Sequence, residues 1–381
     1  MPIIWRFLLS QFFKVFLLSL FSFIAVLLVT RLDEVAQFAA IGAPIKLIFL
    51  FTLYQVLYVL PIAIPIACLI ASIILFQNIS HTHELTALRS SGLGLRHITT
   101  PILVAGTVIA LLNFYIISEW ATRSHLYSKE MINELKSINP LLLLQNKQIL
   151  KLQEAYVDIG SLYSGEVAHD VVIVINNRNT HRLNLMSAKK LNLSNSVLYG
   201  EHVSLISSLA ADDPHTYDHL VIENQDRIST PSDEFSQLLK TSGWRLNNDH
   251  LQLPLLLIRA KKEYQQMLGL KATQPESPMI EDVNVRLNRC FSEIARRASA
   301  SIAALTFVLM GAAFGINIGR TQSKKGPLSV IALAALFLCS FFAARSFENS
   351  FMVSAAFYTL PHVIIVFLSI RTLKNVTRGV E

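Results

Sequence analysis

The sequence predicts an α-helical membrane protein with six spanning helices arranged three plus three, and an antiparallel β domain inserted between the triplets. Two observations predict it. Apolar blocks fall into two groups of three, separated by the long polar segment 121–297. Composition agrees: 52% of the 381 residues are hydrophobic and 15% are charged, where a soluble chain carries about 25% charged residues. Mean hydropathy is +0.46.

The apolar runs are 7–30, 47–79, 98–120, 298–317, 328–347 and 351–370, each near the roughly 20 residues needed to cross a bilayer. The first is longer than the apolar core of a signal peptide. Arg31, Asp33 and Glu34 follow it where small residues would mark a cleavage site, so it reads as an uncleaved helix. The second is read as one tilted helix kinked at Pro61 and Pro65.

Lysine and arginine near the spans set the expected orientation. With the N-terminus inside, the inner segments hold Arg6 and Lys14, Arg89 and Arg96, Arg320, Lys324 and Lys325, then Arg371, Lys374 and Arg378. The outer ends hold Arg31, Lys46 and Arg345. Both termini are thus expected in the cytoplasm and segment 121–297 on the far side, the periplasm of a bacterium. The domain plan is 1–120 for spans one to three, 121–297 for the exported domain and 298–381 for spans four to six with a short tail. The net charge of +7 is mostly this inner bias and gives no support to nucleic-acid binding. Cys68 and Cys339 fall in apolar runs and Cys290 alone in the exported segment, which leaves no exported pair for a disulfide.

Within the exported segment, short β-type runs at 155–159, 171–176, 191–193, 203–206 and 217–223 are separated by turn-rich pieces such as Asn176-Asn177-Arg178-Asn179 and Asp212-Asp213-Pro214. Alternation in Lys190-Leu191-Asn192-Leu193-Ser194 marks a strand with one buried face. The reading is a small antiparallel sandwich or jelly roll over about 149–230, with open edges to which a neighbouring strand can add. Residues 118–135 extend the third span as a polar helix. Residues 281–297 form a second helical leg, with Val283, Leu287 and Phe291 on one face, preceded by a flexible break at 274–278.

The loop after the second span, about 81–92, reads His81-Thr82-His83-Glu84-Leu85-Thr86-Ala87-Leu88-Arg89-Ser90-Ser91-Gly92. Ser80 or Thr82 suits a helix cap, Glu84 complements the dipole of the first turn, and Gly92 suits the end. Leu85 and Leu88 share a face while Glu84 and Arg89 project from other sides. Such a short apolar and acidic helix suits a groove on a partner, although a plain solvated turn has the same charge and spacing.

Glu-Leu-Thr-Ala-Leu-Arg-Ser-Ser-Gly resembles the coupling-helix motif of the LptF/LptG (YjgP/YjgQ) permease family, the paired membrane subunits of the lipopolysaccharide-export ABC transporter. The likeness extends over nearly the whole chain: the three-plus-three spans, the inserted β domain, Glu293 with Arg296 or Arg297, Gly311-Ala312-Ala313-Phe314-Gly315, and the basic loop 320–326. Ala313 and Phe314 stand where the family often has proline and leucine. The Asn139-Pro140 turn leans towards the F-like member.

The resemblance implies a coupling site of Glu84, Leu85, Leu88, Arg89 and Gly92, docked on a cytoplasmic ATPase dimer. It also implies a second six-span permease, a single-span periplasmic jellyroll partner, and lipopolysaccharide or lipooligosaccharide drawn from the inner membrane. Arg31 and Arg345 become candidates for the phosphates of lipid A, with interfacial snorkelling the alternative for Arg31 and neutralisation by Glu348 the alternative for Arg345.

No GxxxxGK[ST] loop is present, so ATP and Mg belong to the partner ATPase and no cofactor to this chain. His81 and His83 lie two apart and face different sides of a helix, which argues against a metal site. No nucleophile, base and orienter set points to catalysis. A mechanotransmitter that couples ATP hydrolysis to periplasmic partners without carrying lipid is the competing class, but it usually has four spans. A membrane-anchored β scaffold would not need five or more spans, nor the loop at 81–92.

Overall fold

The computed structural model describes residues 3–40, 44–138, 149–151, 155–163, 167–177, 182–194, 197–209, 219–231, 247–273, 279–316 and 325–378. The Asn139-Pro140 turn, Asp212-Asp213-Pro214, the break at 274–278 and Arg320 with Lys324 lie outside them. The chain packs as two units, one of Met1–Leu32, Thr52–Leu126 and Leu246–Glu381, the other of Asp33–Phe51 and Tyr127–Arg245.

Among the described residues, six helices are long and apolar enough to cross a membrane, as the sequence predicts. They are α1 (Ile3–Val29), α3 (Ile45–His81), α5 (Leu95–Tyr115) with its continuation, α8 (Met279–Gly315), α9 (Lys325–Ser346) and α10 (Phe351–Arg378). Between them lie α2 (Leu32–Ala40), α4 (Glu84–Ser90), α6 (Thr122–Ile138), six strands and α7 (Leu253–Thr273).

The first unit is built on close approach of α3, α5 and α8. Gly311 and Gly315 of α8 lie against Ser72, Ile73 and Phe76 of α3, and Gly106 of α5 against Val308 of α8. Small residues let backbones approach, which helices in lipid need because apolar burial alone does not drive them together. Around this contact, Leu8 and Phe12 of α1 pack with Ala67, Ala71 and Phe76, and with Ile98, Ile102, Ala304, Val308 and Ala312. A second cluster joins Phe307 and Met310 of α8 to Phe337 of α9 and Ile365 of α10.

Buried polar groups pin the crossing. Pro65 has no N–H to offer the carbonyl of Pro61, and Asn113 Nδ2 of α5 donates to that freed oxygen at 3.3 Å and to Ala300 O of α8 at 3.2 Å. α3 runs as one helix through both prolines, and Asn113 thereby joins it to both neighbouring helices. Between α8 and α10, Ser299 Oγ lies 3.0 Å from His362 Nε2 and Thr306 Oγ1 3.2 Å from His362 Nδ1. The third span does not run straight into α6: a π-helical turn, Ile116–Ala121, intervenes, and Thr122 Oγ1 donates to Ile117 O at 2.9 Å. Such a turn is a local widening that propensity does not announce.

In the second unit, β1 (Ile149–Lys151), β2 (Ala155–Tyr163), β3 (Val167–Asn177), β4 (Arg182–Ser194), β5 (Val197–Leu209) and β6 (His219–Pro231) pair in chain order as one antiparallel sheet. The inserted antiparallel domain is as expected, and its described strands follow one another across the sheet as a meander. Connections of only two to four residues from β1 to β5 favour pairing of chain neighbours. The strands are also longer than their apolar cores suggested, because polar residues alternate onto the exposed face: Ala188 is paired between Val171 and Val203, and Leu191 between Ala168 and Gly200. All but Gly200 among these are buried hydrophobics.

One line of irregular backbone crosses the sheet. Asp170 (φ 52°), His202 (φ 50°) and Asn224 (φ 51°) are left-handed, and His202 Nδ1 lies 3.0 Å from Asn224 Oδ1. Bulged positions of this kind bend a strand and increase its twist. In the same unit Phe38 of α2 stacks on Phe51 of α3, centroids 4.4 Å apart.

Candidate functional site

The first candidate is the α4 corner. α3 ends with Thr82 Oγ1 donating back to Asn78 O at 3.0 Å, so Thr82 closes α3 and does not cap α4. The N-cap is His83, in the left-handed conformation (φ 59°) and without a side-chain cap bond, which turns the chain sharply. Histidine is one of the residue types that tolerate this region. At the other end Gly92 (φ 90°) follows the helix. Gly92 N–H donates to Arg89 O at 3.0 Å and Leu93 N–H to Leu88 O at 3.2 Å, the double closure of a Schellman motif.

Leu85 is buried, 2% exposed, in the same cluster as Ile79, Leu95 and Ile98, and Leu88 packs against that cluster. Leu85, with the half-buried Leu88 beside it, holds α4 to its own bundle. Glu84 and Arg89 are half-buried, and Thr86, Ala87, Ser90 and Gly92 are exposed. Among the described residues neither Glu84 nor Arg89 forms an ion pair.

The second candidate is a polar collar centred on the 3₁₀ turn Asn248–His250. Arg31, in the turn after α1, places its guanidinium carbon 5.2 Å from the centroid of Tyr58. Tyr58 meets His125 edge to face at 4.8 Å, and His125 lies 4.5 Å from His250. From the other side Arg345 Nη2 donates to Asp249 Oδ2 at 3.2 Å. The two arginines singled out from the sequence therefore attach to one short segment, through an aromatic relay and through an ion pair. Glu348 is not the partner of Arg345: its carboxylate lies 3.6 Å from Arg289 Nε, one helical turn before Glu293 on α8.

The core of the collar is a carboxylate held by two guanidiniums. Arg296 binds Glu293 through two hydrogen bonds, Nε to Oε2 and Nη2 to Oε1, each 2.7 Å; Arg297 Nε donates to Oε1, also at 2.7 Å. Bidentate, charge-assisted bonds of this kind are the strong ones. Arg297 is 1% exposed and Glu293 5%. Arg297 Nη2 donates to Leu251 O at 2.8 Å and Asn248 O at 3.2 Å, clasping the segment to α8. α7 packs beside it: Leu256 and Ala260 meet Leu287 and Cys290, and Arg286 Nε lies 3.1 Å from Glu263 Oε2.

In the sequence Glu293, Arg296 and Arg297 stand out only through the family resemblance, and Asn248, Asp249 and the helix α7 do not stand out. Their signal was faint: Pro254 in a first helical turn ahead of a run of good helix formers. Among the described residues no cluster of three or more metal-ligating side chains occurs.

A family model, Lipopolysaccharide export system permease LptF/LptG, matches residues 6–375. The chain belongs to the LptF/LptG family. It is accordingly a multi-pass lipopolysaccharide-export permease in general character. No match was found among curated proteins.

Proposed function

We propose that this chain is one transmembrane half of an ABC exporter that extracts lipopolysaccharide, or a shortened lipooligosaccharide, from the bacterial inner membrane. Both termini lie in the cytoplasm and the β domain in the periplasm. A separate ATPase dimer docks on α4, with Glu84 facing basic residues of its groove. ATP binding and hydrolysis there close a cavity shared with a second six-span permease. The glycolipid passes to the β domain, whose jellyroll-like apolar interior receives acyl chains, and onward to a single-span jellyroll protein joined by strand addition. Arg31 and Arg345 meet the lipid phosphates near the outer end of the path.

The family match over residues 6–375 carries the reading. The α4 corner supports it locally: the helix is anchored by Leu85, which leaves Glu84, Arg89 and the exposed Thr86, Ala87 and Ser90 for a partner. The test is Glu84→Lys in the reconstituted complex. Membrane insertion should persist while ATP-dependent glycolipid release from proteoliposomes is abolished. Unchanged release would remove Glu84 from the coupling role.

A further inference from the structure

We infer that α8 is the stiff member that carries motion from the α4 end of the bundle to the chain entering from the β domain, and that Arg297 is the positioning residue that fastens the two. The inference rests on the exporter reading above and adds the route by which force leaves the bundle.

Three observations carry it. First, α8 runs 37 residues without a proline, about 55 Å at the α-helical rise, far beyond the roughly 30 Å apolar core of a bilayer. Of its neighbours, the helix that follows α4 widens into the π-helical turn Ile116–Ala121, and α3 carries Pro61 and Pro65, with Asn113 tying the freed Pro61 carbonyl back to α8. Second, the C-terminal turns of α8 are in backbone-level contact with α3 at Ile73 and Phe76, within about two turns of its end at His81. A β-carbon on Gly315 would meet Ile73 O at 3.1 Å and Phe76 Cβ at 3.1 Å. No flexible side chain intervenes to absorb a displacement.

Third, Arg297, midway along α8 and about 27 Å from Gly315 at the helical rise, holds Asn248 and Leu251, in the first described segment after β6, by their carbonyls. The donor is a guanidinium already fixed by Glu293 and buried to 1% exposure. Backbone carbonyls held by an immobilised, buried donor follow that donor. Arg289 and Ser292 bond the turn before α10 as well: Arg289 Nε donates to Asn349 Oδ1 at 2.8 Å and Ser292 Oγ to Glu348 O at 3.2 Å. Arg297 Nη1, also buried, has no hydrogen-bond partner among the described residues.

The experiment exploits Cys290, whose Sγ lies 3.8 Å from Asn248 Oδ1. In the full complex, with Cys68 and Cys339 replaced by alanine, Asn248→Cys offers Cys290 a partner, and oxidation installs a covalent clasp that reduction removes. Arg297→Gln alone should leave ATP hydrolysis close to native while glycolipid release falls on the order of tenfold, as for loss of a charge-assisted hydrogen bond. Adding Asn248→Cys should restore release when oxidised and lose it again when reduced.

In the otherwise native chain the oxidised pair should release glycolipid normally, since the clasp stays closed through the cycle. A block of release by that disulfide, failure of the disulfide to form, or native release from Arg297→Gln would each overturn the inference. If Arg297→Gln does not assemble, the oxidised pair in the native chain decides alone. Absence of release from the native complex would instead defeat the exporter reading itself.

Discussion

Gly311→Ala tests the contact on which the helical unit is built. The added methyl would overlap the Ser72 hydroxyl, sit 2.8 Å from Ser72 Cβ and stand 3.0 Å from the backbone nitrogen of Ile73. Ordinary carbon contacts lie at about 3.5–4.0 Å, so α3 and α8 must separate by roughly 1 Å, and a gap of that size forfeits a quarter to a half of each contact's attraction. Overpacking of this kind costs about 1–3 kcal/mol, which corresponds to a fall in Tm on the order of 5 °C.

Ser72→Gly removes the hydroxyl and the β-carbon, leaving only the Ile73 nitrogen close. The double variant should therefore recover part of the loss, with a coupling of about 0.5–3 kcal/mol. The assay is thermal unfolding of the purified chain in mild detergent for the four members of the cycle. A Gly311→Ala variant as stable as the native chain, or a double variant showing purely additive losses, would refute the close packing of α3 on α8.

Three further outcomes are expected. Leu85→Ala empties a buried site and should cost about 2–5 kcal/mol locally, releasing α4 and lowering recovery of the ATPase in pull-downs although Glu84 is intact. Gly92→Val forces a β-branched residue into φ 90°, with a cost of about 1–3 kcal/mol; protease cleavage within 88–95 should rise, whereas Gly92→Asn should be mild. Arg31→Glu removes the cation over Tyr58 and, on the exporter reading, should weaken lipid photocrosslinking near residue 31 while ATPase binding persists.

Span number, inserted β domain and the position of the short helix were all legible in the sequence because each has a one-dimensional signal: a hydropathy run, an alternation, a cluster of cap and dipole residues. What was not legible depends on which way a residue faces once helices pack. Leu85 and Leu88 read as a partner-facing stripe, yet the left-handed corner at His83 turns Leu85 into the bundle. Arg345 read as near to Glu348 because they are three apart, but Asp249, distant in sequence, takes it and leaves Glu348 to Arg289. The collar escaped for the same reason: Arg297 binds carbonyls of residues 46 and 49 positions away, and backbone acceptors carry no residue-type signature.

The most direct measurement is purification of the tagged chain in mild detergent, with mass spectrometry of the proteins and the lipid that accompany it. The account predicts an ATPase, a second six-span permease and lipid A in one complex. An ATPase without the second permease and without lipid would contradict lipid export and favour a mechanotransmitter, and absence of any ATPase would contradict the role assigned to α4.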